Sequence, residues 1–170
     1  CLICGNSYHF QSTLTDKAPT MKILLPVDGS ALSLHETRFA LRLLHSGLQA
    51  SFVLANVQEP ASFYELVTAP NRSVIEGAAH DAGEDLIAPC AQLLKDAHAP
   101  YETAVVQGDP MQAMLELIAQ HRCDMVVMGT RALGPIRRLI EGGSTAQRLV
   151  EHSPVPVLLV TPPDEIKQEP

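Results

Sequence analysis

Short, nearly continuous apolar runs alternate along this chain with longer stretches whose apolar residues recur at helical spacing. The short runs are Lys22–Val27 (KILLPV), Ala50–Val57 (ASFVLANV), Tyr101–Val106, Asp124–Met128 (DMVVM) and Val155–Val160 (VPVLLV). A strand reads this way when both of its faces are buried, as in a parallel sheet. Between them the spacing predicts a helix over Ala31–Ser46, with Leu34, Ala40, Leu41 and Leu44 near one face and Gly47 to end it. A long helix over Ser73–Ala97 contains Pro89, which predicts a kink or break there. Met111–His121 forms a third helix with Met114, Leu115 and Ile118 inward, and a fourth spans about Ser144 to Glu151. Asp28-Gly29-Ser30 is a turn whose Ser30 suits an N-cap, and Gly108-Asp109-Pro110 places a proline at the first helical position. Gln58–Arg72, with two prolines, reads as a long loop over the top of the sheet.

Strands alternating with helices form βαβ units, so the expected fold is α/β, a doubly wound, five-stranded, mostly parallel sheet with helices on both faces. Ligands in such folds bind beyond the carboxyl ends of the strands, where the winding reverses. The segments to inspect are therefore Asp28-Gly29-Ser30, Val57-Gln58-Glu59, Gly108-Asp109 and Gly129-Thr130-Arg131. The last opens a glycine-rich stretch containing Gly134, Gly142 and Gly143, followed by Ser144 and Thr145 at a helix start. Glycines let backbone amides approach an anion, and a helix N-terminus adds unpaired donors and partial positive charge. Arg131, Arg137 and Arg138 could neutralise phosphates. Ser144-Thr-Ala-Gln147 is also a capping box, which explains Ser144 without a ligand. Neither a P-loop nor a GxGxxG fingerprint is present, which disfavours P-loop NTPase and hydride-transfer chemistry.

Composition narrows this further. At 170 residues, 46% hydrophobic and 18% charged, the chain suits one domain with a proper core. A net charge of −7 and the lack of tryptophan argue against nucleic-acid binding, and no apolar run reaches membrane-spanning length. Residues 1–20 show no periodicity and are set apart as an extension; residues 21–161 form the domain and residues 162–170 a loose tail. Cys1-Leu-Ile-Cys4 is a lone CxxC, weak as a zinc or redox motif, while Cys90 and Cys123 read as buried free thiols suited to a reducing cytoplasm. His35, His45, His80, His98, His121 and His152 are scattered, so no metal site is expected, and no catalytic Ser/His/Asp or Cys/His set can be assembled.

KILLPVDGS with its following helix, VVMGTRALGPIRRL, and GSTAQRLVEHSPVPVLLV occur in an order and separation that resemble the universal stress protein family over Met21–Thr161. The resemblance implies strand order 3-2-1-4-5 and a homodimer formed through the last strand, Val155 to Val160. It also implies an ATP-binding branch (or ADP or AMP), with Mg²⁺ carried by the phosphates and at most slow hydrolysis. Mapped onto this chain, Asp28 and Val57 meet the adenine and ribose end. Met128 and Gly129 flank the nucleotide, and Gly143, Ser144 and Thr145 contact phosphates; Pro26, Arg131 and Gly142 complete the set. The branch carries GxxG, nine residues and then Gly-Ser/Thr; here Ala132 replaces the second glycine and ten residues separate it from Gly143. Two readings stand: an adenine-nucleotide-binding regulatory domain, or a dimeric interaction module of the same fold without nucleotide.

Overall fold

The computed structural model describes residues 20–58, 72–129 and 145–161. Among these residues the elements run β1 (Met21–Pro26), α1 (Ala31–His45), β2 (Ala50–Gln58), α2 (Arg72–Asp96) and β3 (Tyr101–Gln107), then α3 (Pro110–His121), β4 (Met125–Gly129), α4 (Thr145–His152) and β5 (Val157–Val160). The strands form one five-stranded sheet in the order β3-β2-β1-β4-β5, with every pairing parallel. The doubly wound architecture expected from the alternating pattern is therefore present. Residues 1–19, 59–71, 130–144 and 162–170 lie outside the described residues. With them lie the CxxC, nearly all of the proposed loop, the tail, and Ala132.

Strand alternation divides the core cleanly between two layers. Ile23, Leu25, Val27, Phe52, Leu54 and Val127 pack with Ala40 of α1 and with Ile87, Cys90 and Leu94 of α2. Leu24, Val53, Ala55, Val126 and Met128 face the other way, onto Met111, Met114, Leu117 and Ile118 of α3 and Leu149 of α4. Leu24, Phe52 and Leu54 are fully buried, each burial contributing about 1.5–3 kcal/mol. Asp109 caps α3, its carboxylate accepting from the Gln112 amide at 3.0 Å, with Pro110 at the first helical position. After α1, Gly47 adopts φ 101, a left-handed turn that donates its amide to the Leu44 carbonyl at 2.9 Å.

The structure refines three sequence expectations. First, α2 runs through Pro89 without a break. Proline removes one helical hydrogen bond, the one to the carbonyl four residues earlier; that residue is Asp85, which is exposed, so water can serve its carbonyl. Second, β5 begins at Val157 rather than Val155, and the other strand ends shift by a residue. Third, Leu34, Ala40, Leu41 and Leu44 do pack against one cluster, but the most deeply buried positions of α1 also include Leu32, Ser33, Glu36 and Thr37. The inner face of α1 is thus substantially polar, and that polarity sits beneath the crevice.

Candidate functional site

The crevice opens at the carboxyl ends of β1 and β4, where the chain winds one way from β1 to β2 and the other way from β3 to β4. Its first wall is the β1–α1 turn. Asp28 Oδ1 accepts from the Ser30 amide at 3.0 Å and from the Ser33 hydroxyl at 2.6 Å, and Ser33 Oγ in turn accepts from the Asp28 amide at 3.1 Å. Ser30 caps α1 by accepting from the Ser33 amide at 3.4 Å. Asp28 is thus a turn carboxylate bonded to local donors. These bonds also fix an exposed carboxylate at the mouth of the crevice. Gly29 takes φ 77, a left-handed conformation that favours glycine, and a β-carbon there would also have to displace the exposed Leu86 side chain of α2.

Asn56, near the end of β2, ties this wall to the sheet. It is buried; its Nδ2 donates to the Val27 carbonyl at 2.7 Å, and its Oδ1 accepts from Gln58 Nε2 at 2.6 Å. The carbonyl leading into the Asp28 turn is thereby satisfied from the neighbouring strand.

The second wall is the end of β4. Met128 is buried on the α3/α4 layer, so alternation turns Gly129 toward α1. A β-carbon on Gly129 would collide with Leu32 and with Glu36 Oε1. No left-handed φ is involved; the glycine is required because α1 seats directly on the strand. The Gly129 amide donates to the Glu36 carboxylate. Glu36 is only 5% exposed, and burial pushes its carboxyl up to about 8, against the lowering effect of that amide and with a further upward push from the Asp28 charge. Nearby, Thr37 donates its hydroxyl to the Ser33 carbonyl at 2.9 Å and hydrogen-bonds Cys90, whose thiol burial raises.

Of the sequence-derived site residues, Pro26, Asp28 and Val57 lie at or just past the carboxyl ends of β1 and β2, Met128 and Gly129 end β4, and Thr145 begins α4. Arg131, Gly142, Gly143 and Ser144 lie outside the described residues. Asp28 and Gly129 are linked through Glu36, which feels the charge of one and the hydrogen bond of the other. Sequence reading missed Glu36, Ser33 and Asn56, since a glutamate in mid-helix ordinarily marks a solvated face.

The opposite pole of the sheet holds a separate polar group. Lys22 Nζ lies 2.7 Å and His121 Nδ1 3.2 Å from Glu102 Oε1, and the lysine chiefly holds that carboxyl below its usual range. Burial pushes the Cys123 thiol beside them up to about 11, so it is a poor nucleophile. Among the described residues, no three His, Cys, Asp or Glu are placed to hold a metal, and no helix is long and apolar enough to cross a membrane.

A family model described as the universal stress protein family matches residues 19–161. The chain belongs to the universal stress protein family. Universal stress protein MJ0531 of Methanocaldococcus jannaschii is 24% identical over 142 residues, covering 84% of this chain and 82% of that protein. A crystal structure of a universal stress protein in complex with cAMP superposes with a TM-score of 0.61 at 20% identity, covering 85% of this chain and 98% of that one. The Arabidopsis thaliana family protein At3g01520, crystallised with AMP bound, gives 0.63 at 18% identity over 86% and 94% of the two chains. At these identities the structural likeness establishes the fold. The universal stress fold and its strand order are thus shared, and the β1/β4 crevice of this chain is its own structure's finding.

Proposed function

We propose that this universal stress protein binds an adenine nucleotide in the crevice between the Asp28 turn and the end of β4. The observation that carries the reading is the fixed geometry of that mouth. Asp28 is held exposed at the mouth by Ser30 and Ser33, and Gly129 ends β4 with no side chain of its own. Fold relatives solved with cAMP and with AMP give it support. Pro26, Asp28 and Val57 would receive the base and ribose, and Met128 and Gly129 would flank the nucleotide. Arg131, Gly142, Gly143, Ser144 and Thr145 would receive phosphates, and ATP would bring Mg²⁺ on its own oxygens. The role is regulatory binding, with hydrolysis at most slow, because Asp28 Oδ1 is already committed to two donors and is a weak general base. Titration calorimetry with ATP, ADP, AMP and cAMP is expected to show saturable binding in the micromolar to millimolar range. No heat from any of them at millimolar concentration would overturn the proposal.

A second property rests on β5. This strand is an edge of the sheet, and Leu159 on it is 41% exposed although large and apolar. We propose that two copies pair there as a homodimer. Leu159→Lys adds a charge on the exposed side while leaving the partly buried Val157 and Leu158 intact. The variant is expected to elute as a folded monomer where wild type scatters as a dimer. A dimer of unchanged mass in the variant would place the interface elsewhere.

A further inference from the structure

Glu36 is an expensive feature to place where it is. A carboxyl 5% exposed and mid-helix, with no cationic partner among the described residues, is rarely kept unless something uses it. Its surroundings are specific. Gly129, the last residue of β4, donates its amide to it. Leu32 and Glu36 Oε1 together occupy the space over the Gly129 α-carbon. Among the described residues, the elements packed around it bring little compensating charge. The β1–α1 turn brings Asp28, also acidic; α2 brings the Cys90 thiol; β4 (Met125–Gly129) has no ionisable residue; and Lys22 of β1 is engaged with Glu102. On α1 itself, Arg38 is exposed and His35 half-buried. The carboxyl thus lies directly behind the backbone that ends β4, on the α1 side of the crevice.

We propose that Glu36 is a positioning residue that couples anion binding in the crevice to proton uptake. As a neutral acid it anchors the Gly129 amide and leaves the floor of the crevice uncharged. Once ionised it sets a second negative charge near Asp28, on the α1 side of the crevice that would receive the anion. An anionic ligand therefore favours the protonated form, and by linkage the protonated form favours the ligand. Burial already brings the carboxyl to about 8, so the coupling falls in the neutral to mildly alkaline range. This role rests on the nucleotide reading of the crevice and specifies how that site responds to pH.

The test uses cAMP, whose phosphodiester keeps one negative charge throughout the range, with ATP in parallel. Affinity is measured by calorimetry between about pH 6.5 and about pH 9.5, in two buffers of different ionisation enthalpy at each pH. Wild type is expected to take up about half a proton per cAMP near the middle of the transition, and to lose about tenfold in affinity across it, the effect of one charge within about 10 Å at an effective dielectric near 20. Glu36→Gln should bind without proton uptake and with an affinity that no longer falls over this range. Binding by wild type with no uptake and a flat profile overturns the role of Glu36 and leaves nucleotide binding standing. Undiminished uptake in Glu36→Gln overturns it as well, because another group must then titrate. No binding of cAMP or ATP at any pH removes the nucleotide reading, and the coupling falls with it.

Discussion

Replacing Glu36 by glutamine is expected to stabilise the protein at pH 9 by about 2–4 kcal/mol, although it alters a buried, hydrogen-bonded side chain. The carboxyl is raised by burial from 4.5 to about 8 in the folded protein, whereas in the unfolded chain it ionises near its ordinary value. Between those two values the folded state keeps a proton that the unfolded state has released. Stability therefore falls as pH rises through this window and levels off above about 8. The full shift corresponds to a penalty approaching about 5 kcal/mol, and relaxation around the ionised group reduces the measurable part. Glutamine keeps an oxygen for the Gly129 amide but has no proton to lose. Urea unfolding at pH 5, 7 and 9 should therefore show the two proteins diverging as pH rises, with the variant's profile flatter. A constant offset between parallel profiles would show that Glu36 ionises normally in the folded state.

The second large effect is expected at Gly129. Gly129→Ala introduces a methyl into space held by Leu32 and Glu36 Oε1, on a helix that packs against α2 and cannot back away freely. A loss of about 3 kcal/mol is expected, near the upper end for overpacking in a close-packed core. The mechanism has its own signature. Leu32→Ala alone should destabilise by leaving a cavity, but combined with Gly129→Ala it should cost less than the sum, because the new methyl fills the vacated space. Thermal unfolding of the four proteins in this cycle reads the coupling directly. Strict additivity would mean that Gly129 is needed for something other than contact with α1.

Much of the architecture is legible in the sequence because the strands announce themselves. Runs such as KILLPV and DMVVM are apolar on both faces, which only a covered parallel strand requires. The Asp28 turn is equally plain, since its glycine, capping serine and position after a strand are local signals. Glu36 is not local. In one dimension it is a polar residue between Leu34 and Ala40, and the leucines pull the inferred inner stripe toward Leu34, Leu41 and Leu44. What turns the Leu32-Ser33-Glu36-Thr37 stripe inward is the seating of α1 on β4, a contact between segments some ninety residues apart that no helical period contains. Gly129 was read from sequence as a backbone approach for phosphate. Packing gives it an independent reason to be glycine: Leu32 and Glu36 hold the space its β-carbon would take, and its amide already serves the Glu36 carboxylate. Pro89 is a milder case: with Asp85 and Pro89 both exposed, water can serve the carbonyl the proline leaves unpaired, and α2 runs on without a break.

The central position of β1 also has a bearing on how the chain acquires its structure during synthesis. One edge of β1 is met early, by β2, whose register begins at Met21 opposite Ala50. The other edge waits for β4, where Ile23 lies opposite Met125. Until that segment leaves the ribosome, the three strands made first present an apolar ribbon with an unpaired rim, the kind of surface that chaperones hold and neighbouring nascent chains capture. The clasp that closes it is Asp124: its amide donates to the Lys22 carbonyl at 2.8 Å, and its Oδ2 accepts from the Lys22 amide at 2.7 Å. A single residue at the entrance to β4 thus sets the alignment in which the late half of the molecule docks onto the early one.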